Sequence, residues 1–171
     1  MNIRLATRKD ESLVISMANE VYFTSENDFW KDGYYRIDKK EFKHFIDNQW
    51  LYLAEIDDAL VGCVLMKPID AITTSFSMLI CHADHRKKGI GQSLIDYVFK
   101  TANERGYQKM QLEILSPLHW VHEEKEFLKT WYTSLGFKLI KEVNFLDYYP
   151  THDKYMKCPL LFSLYEKDLR V

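Results

Sequence analysis

No stretch of this chain is apolar for long enough to cross a bilayer, and its N-terminus lacks the apolar core and small-residue cleavage site of a secretory leader. Cysteine is scarce and odd in number. Cys63 and Cys81 sit in apolar, strand-like runs, which suits buried thiols in a reducing compartment better than disulfides. Six glycines and four prolines are too few and too scattered to make a linker, and no low-complexity tract or internal repeat divides the sequence. A formal net charge of −2 argues against a general nucleic-acid binder, because a basic surface is what phosphate backbones require. The expectation is a cytoplasmic protein forming one domain over residues 1–171, with neither nucleic acid nor membrane as partner.

What the chain does contain is aromatic residues, 15% of the total, and enough apolar residues for a substantial core. Ile3 to Thr7 alternates like a strand, and Asp10 offers a cap before a helix carrying Leu13, Met17 and Val21 at spacing four. Phe23 to Ile37 is aromatic and mixed in charge, without a clear period. Lys39 to Asn48 reads as a short amphipathic helix. Strands are expected at Trp50–Ile56, Leu60–Met66 and Ile72–His82, with Asp57-Asp58 as the turn between the first two. A helix follows over 89–105, closed by Gly106, and then a strand around Met110 to Ile114. A helix near Glu123–Ser134 ends at Gly136, and Phe137–Val143 and Leu160–Glu166 read as the last strands. The order β-α-α-β-β-β-α-β-α-β-β implies a mixed sheet with helices on its faces.

The most informative stretch is Arg86-Lys87-Lys88-Gly89-Ile90-Gly91, at the junction of a strand and a helix. Glycines there let backbone N–H groups approach a ligand, and the positive end of the helix dipole favours an anion. A phosphate-bearing ligand is the first inference. Spacing excludes two common motifs. A dinucleotide fingerprint needs a third glycine where Leu94 stands, and a P-loop needs glycine followed by lysine, which occurs nowhere. His119 and His122 are three apart, but no further ligand joins them nearby, so no metal site is expected.

The residues from Arg86 to Gly91 resemble the Arg/Gln-x-x-Gly-x-Gly/Ala signature of the GNAT family, the Gcn5-related N-acetyltransferases. Upstream, Leu79-Ile80-Cys81-His82-Ala83-Asp84-His85 is similar to the family's leucine-x-valine-x-proline-acidic-aromatic run, with departures at Ala83 and His85. Downstream, Tyr132-Thr133-Ser134-Leu135-Gly136-Phe137 is similar to its Tyr-x-x-Leu-Gly-Phe helix end. The resemblance runs from about Ile3 to Leu169. It implies an α/β (α+β) fold: a mixed, largely antiparallel seven-strand sheet, splayed at its centre, with helices on both faces.

The resemblance further implies acetyl-CoA as co-substrate. The backbone of Arg86, Lys87, Lys88, Gly89, Ile90, Gly91 and Gln92 would cradle its pyrophosphate, and Leu79, Ile80 and Cys81 would pair with its pantetheine arm. An amine would attack the thioester directly through a tetrahedral intermediate. Tyr132 occupies the position of the general acid that protonates the departing thiolate. Many members carry a Glu base where this chain has Ser77, which suits only a water relay. Strict alternation would set Ser75, Ser77, Leu79 and Cys81 on one face. Glu55 and Glu113 also lie on expected central strands, and each reads more readily as a structural carboxylate. Lys125 stands where many members have an Asn touching the cofactor. Phe29, Trp30 and Tyr34 are the candidate acceptor contacts, within a set of aromatics and carboxylates (Tyr22, Glu26, Asp147, Tyr149) suited to a cationic amine. The reading is therefore an N-acetyltransferase acting on a primary amine, a small molecule being favoured. The alternatives are a non-catalytic acyl-CoA-binding sensor and a protein N-terminal or lysine acetyltransferase. A homodimer is compatible with all of them.

Overall fold

The computed structural model describes residues 1–171. Seven strands form one sheet: β1 (Asn2–Leu5), β2 (Leu51–Ile56), β3 (Ala59–Pro68), β4 (Thr73–Cys81), β5 (Lys109–Pro117), β6 (Lys138–Asn144) and β7 (Leu160–Asp168), in the order β1-β2-β3-β4-β5-β7-β6. All neighbours are antiparallel except β4 and β5. The helices are α1 (Glu11–Ser25), α2 (Lys39–Asp47), α3 (Ile90–Glu104), α4 (Glu123–Ser134) and the single turn α5 (Phe145–Tyr148). None of them is long and apolar enough to cross a membrane. The architecture is the expected one: mixed, mostly antiparallel, seven-stranded, with helices on both faces. The irregular Phe23–Ile37 stretch divides in two, because α1 continues to Ser25 before the chain leaves the helix. Two further features carry no clear period in the sequence, α5 and the 3-10 segment Pro150–Tyr155.

Side-chain alternation sorts the strands onto two cores. Tyr52, Val64, Met66, Phe76, Met110, Leu112 and Ile114 face α3 and α4, where they meet Ile90, Leu94, Val98, Tyr132 and Phe137. Leu51, Leu53, Cys63, Leu65, Met78 and Ile80 face the other way, onto Val14, Met17 and Ala18 of α1 and Phe42 of α2. A third, smaller cluster of Phe29, Phe145, Met156 and Leu160 lies at the β5–β7 half. Gly62 lets α3 lie close on the sheet. A Cβ at that position would sit 2.7 Å from the Ile80 carbonyl oxygen and 3.0 Å from Ile90 Cγ2.

The sheet opens at its centre. β4 and β5 pair at only three positions, Thr73↔Lys109, Thr74↔Met110 and Ser75↔Gln111. Beyond them β4 carries an extra residue relative to β3: Cys63 pairs with Ile80 but Leu65 pairs with Ser77. Met78 absorbs the irregularity with φ +51, a left-handed conformation uncommon for a non-glycine residue. The bulge turns β4 away from β5 and switches its faces.

Candidate functional site

The bulge corrects the expectation from strict alternation. Phe76 packs toward α3 and α4, whereas Met78 and Ile80 pack toward α1 and α2. Ser77, on the strand before the bulge, therefore looks to the α1/α2 side, while Leu79 and Cys81 pack against the α3/α4 core. Ser77 and Cys81 do not share a face. Ile80 is only 1% exposed, so its backbone alone is available to a ligand.

After β4, the loop carrying the basic residues runs into α3. Arg86, Lys87, Lys88 and Gly89 are exposed, and Lys87 and Gly89 take φ +63 and +75. Gly89 caps α3 in the left-handed region that glycine adopts without strain. The first intrahelical bond runs from the Ser93 N–H to the Gly89 carbonyl, at 3.0 Å. The N–H groups of Ile90, Gly91 and Gln92 thus lie in the turn where a helix has donors to spare, beside three cations. Gly91 approaches both Cys81 and Trp131: a Cβ there would lie 3.7 Å from Cys81 Sγ and 3.4 Å from the indole. Burial raises the Cys81 pKa, with the Arg86 charge and the Gly91 N–H opposing it.

On the other side of the splay is a cavity of about 480 Å³. Ser77, Met78 and Leu79 of β4, Leu112 to Leu115 of β5, and Tyr132 of α4 form its floor. Tyr132 is 6% exposed and held edge-on by Phe76 and Phe137, at ring separations of 5.7 and 6.2 Å. Burial raises its pKa well above the ordinary phenol value, and its hydroxyl hydrogen-bonds no protein group. It is protonated and free toward the cavity. Glu113 also lines this cavity, and desolvation raises its pKa against the opposing charges of Lys67 and Lys141. Met110, Leu112 and Ile114 of β5 face α3 and α4, so Glu113 lies on the same side as Ser77. Glu55 is elsewhere, bound with Asp10 to Arg4 at the sheet edge.

The walls come from residues far apart in sequence. Trp30 and Tyr34 stack at 4.3 Å and line the cavity with Tyr149 and Phe145. Phe29 does not: it is fully buried in the third cluster, because the chain after α1 pairs with the segment before β7 through Lys157 N–H to Phe29 O (2.8 Å) and a Trp30–Met156 bridge. The acceptor role expected for Phe29 is thereby corrected to a core role. Lys125, at the position where the resemblance implies an Asn touching the cofactor, lines the cavity but is engaged within the protein. Its ammonium pairs with Glu26, which also accepts from Trp30 Nε1 at 3.0 Å, and the two are 9% and 4% exposed. His122 aligns them. Its Nδ1 caps α4 by accepting from Lys125 N–H (3.3 Å), and its Nε2 contacts the Ser25 carbonyl (3.0 Å) at the end of α1. Arg36 was not singled out from sequence, yet it too lines the cavity. Its only signal is its place within an aromatic segment of no clear period.

A family model described as an acetyltransferase (GNAT) domain matches residues 47–139. The uncharacterized N-acetyltransferase YsnE of Bacillus subtilis (strain 168) is 28% identical over 91 residues, covering 53% of this chain and 56% of that protein. The match thus spans little more than half of that relative's length. Among solved structures, N-acetylglutamate synthase from Neisseria gonorrhoeae, complexed with coenzyme A and N-acetyl-glutamate, superposes with a TM-score of 0.69 at 16% identity, over 98% of this chain and 35% of that one. The ribosomal-protein-alanine N-acetyltransferase from Brucella melitensis gives a TM-score of 0.72 at 16% identity, over 98% and 99% of the two chains. At such identities the likeness is one of fold.

Proposed function

Because the chain belongs to the GNAT family of acetyltransferases, we propose that its residues 1–171 act as one domain that moves an acetyl group from acetyl-CoA to the primary amine of a small molecule. The observation that carries the reading is the pair of half-sites meeting at one splay: a donor-rich, cationic turn at the start of α3, and a free, protonated Tyr132 hydroxyl at the cavity floor. Coenzyme A in a fold relative supports the cofactor. The turn at Arg86–Gln92 would take the pyrophosphate through backbone N–H groups and the helix dipole. The open edge of β4 after Ser75 would take the pantetheine arm as an added strand. The small-molecule acceptor is supported by the cavity, whose volume and aromatic walls suit a compact ligand.

The chemistry then divides among three groups. The acceptor amine, as a free base, attacks the thioester carbonyl to form the C–N bond of a tetrahedral intermediate, whose collapse breaks the C–S bond. Tyr132 gives its proton to the departing thiolate. The amine's surplus proton leaves by a water held at Ser77 to the Glu113 carboxylate, which occupies the role that the missing β4 carboxylate would have had. The sign of the Glu113 shift is consistent with this. A base must be deprotonated, and a raised pKa moves the acid limb of the rate profile upward from where an ordinary glutamate would set it while making the base stronger. Glu113→Gln should lower kcat by about 10²-fold and abolish that limb; a profile identical to the parent's would exclude Glu113.

The direct test is release of free CoA from acetyl-CoA in the presence of an amine panel. Turnover with a small amine is expected. Tight CoA binding with no turnover on any amine or peptide would favour a sensor instead.

A further inference from the structure

Arg36 is the one cation at the cavity without a protein partner. Lys125 is spent on Glu26, and the Arg36 guanidinium makes neither an ion pair nor a hydrogen bond to any side chain or carbonyl. Its position is nevertheless built. The N–H groups of Arg36 and Ile37 both donate to Asn19 Oδ1, at 2.8 and 3.1 Å, and Asn19 Nδ2 returns a bond to the Ile37 carbonyl at 3.0 Å. The guanidinium carbon lies 5.2 Å from the centre of the Tyr22 ring. A half-buried arginine fixed by its backbone and laid on an aromatic face, with its five donors uncommitted, is costly unless an anion meets it. Glu41 also lines the cavity but lies outside ion-pair distance, and Glu26 is already engaged.

Building on the acetyltransferase reading, we infer that the acceptor is an aminocarboxylate. Its carboxylate is held by the fork of Arg36, its side chain lies along the stacked rings of Trp30 and Tyr34, and its amine turns toward Glu113 and Ser77. Arginine presents parallel N–H groups that match the two oxygens of a carboxylate, which an ammonium cannot do. The opposite charges of Arg36 and Glu113 in the cavity lining then fix which end of the substrate meets the thioester.

The test is calorimetric titration of the CoA-loaded protein with the common L-amino acids and their C-terminal amides, alongside acetyl-transfer assays on the same panel. At least one amino acid should bind about 10- to 100-fold more tightly than its amide. Arg36→Gln should erase that difference, Arg36→Lys should restore part of it, and both variants should keep the parent's CoA affinity as evidence of folding. Amides binding as well as acids, no amino acid binding at all, or Arg36→Gln weakening acids and amides equally would overturn the assignment. The two readings fail separately. Acid-selective binding without transfer would remove the acetyltransferase and leave the Arg36 subsite; transfer to amines regardless of a carboxylate would do the reverse.

Discussion

Tyr132→Phe should reduce kcat by about two orders of magnitude while leaving affinity for CoA nearly unchanged. The substitution removes one oxygen and nothing else. The ring keeps its edge contacts with Phe76 and Phe137 and its stacking on Trp131. Since the hydroxyl bonds no protein group, its loss leaves no partner unsatisfied, and thermal stability should stay close to the parent's. The raised Tyr132 pKa adds a second readout. An acid must hold its proton, and burial keeps this phenol protonated beyond the pH at which a free tyrosine would lose it. The alkaline limb of the parent's rate profile should therefore not be its titration. Steady-state kinetics with calorimetry of CoA binding check both points, and unchanged turnover would remove Tyr132 from the mechanism.

Lys125→Met should be the most destabilising of the changes considered. It replaces the charged side chain by an apolar one a single atom shorter and leaves the Glu26 carboxylate buried with only the Trp30 N–H for company. Stranding one member of a buried pair costs about 3–5 kcal/mol. For a chain of this size that corresponds to a fall in Tm of roughly 6–20 °C. The companion Glu26→Leu, Lys125→Met double variant should recover most of the loss, because an apolar pair needs no compensation. Thermal melts of the two single variants and the double one measure the coupling. A Lys125→Met protein as stable as the parent would mean that the pair is not formed in solution.

Most of the strand and helix order was legible because the strands alternate and two of the helices stop at a glycine, Gly106 and Gly136. The turn proposed to hold the cofactor was legible because its chemistry is local: the six consecutive residues Arg86–Gly91 contain the glycines, the cations and the helix start. The cavity was not, because it is assembled from pieces that only the fold brings together. Trp30 and Tyr34 line the cavity, but Phe29 beside them is turned inward by pairing with a segment more than a hundred positions away. The departure at Lys125 was visible, yet its meaning depends on Glu26 at the end of α1. The single inserted residue at Met78 leaves no mark on the hydrophobic pattern, although it decides which side Ser77 serves.

The short β4–β5 ladder has one more consequence. On the α3/α4 face, a single apolar cluster runs unbroken from Val64 and Met66 across to Met110, Leu112 and Ile114. On the opposite face the packing is interrupted, with one cluster under β1–β4 and another under β5–β7. The molecule is thus bound like a book, its spine along α3 and α4 and its leaves parting toward the cavity. The contacts that cross the open edge are the Glu26–Lys125 pair, the His122 link to Ser25, and the pairing of the Asn27–Lys31 segment with Tyr155–Cys158, which seats Phe29 in the third cluster. Any widening between the leaves must begin by breaking those contacts, and it can leave the spine undisturbed.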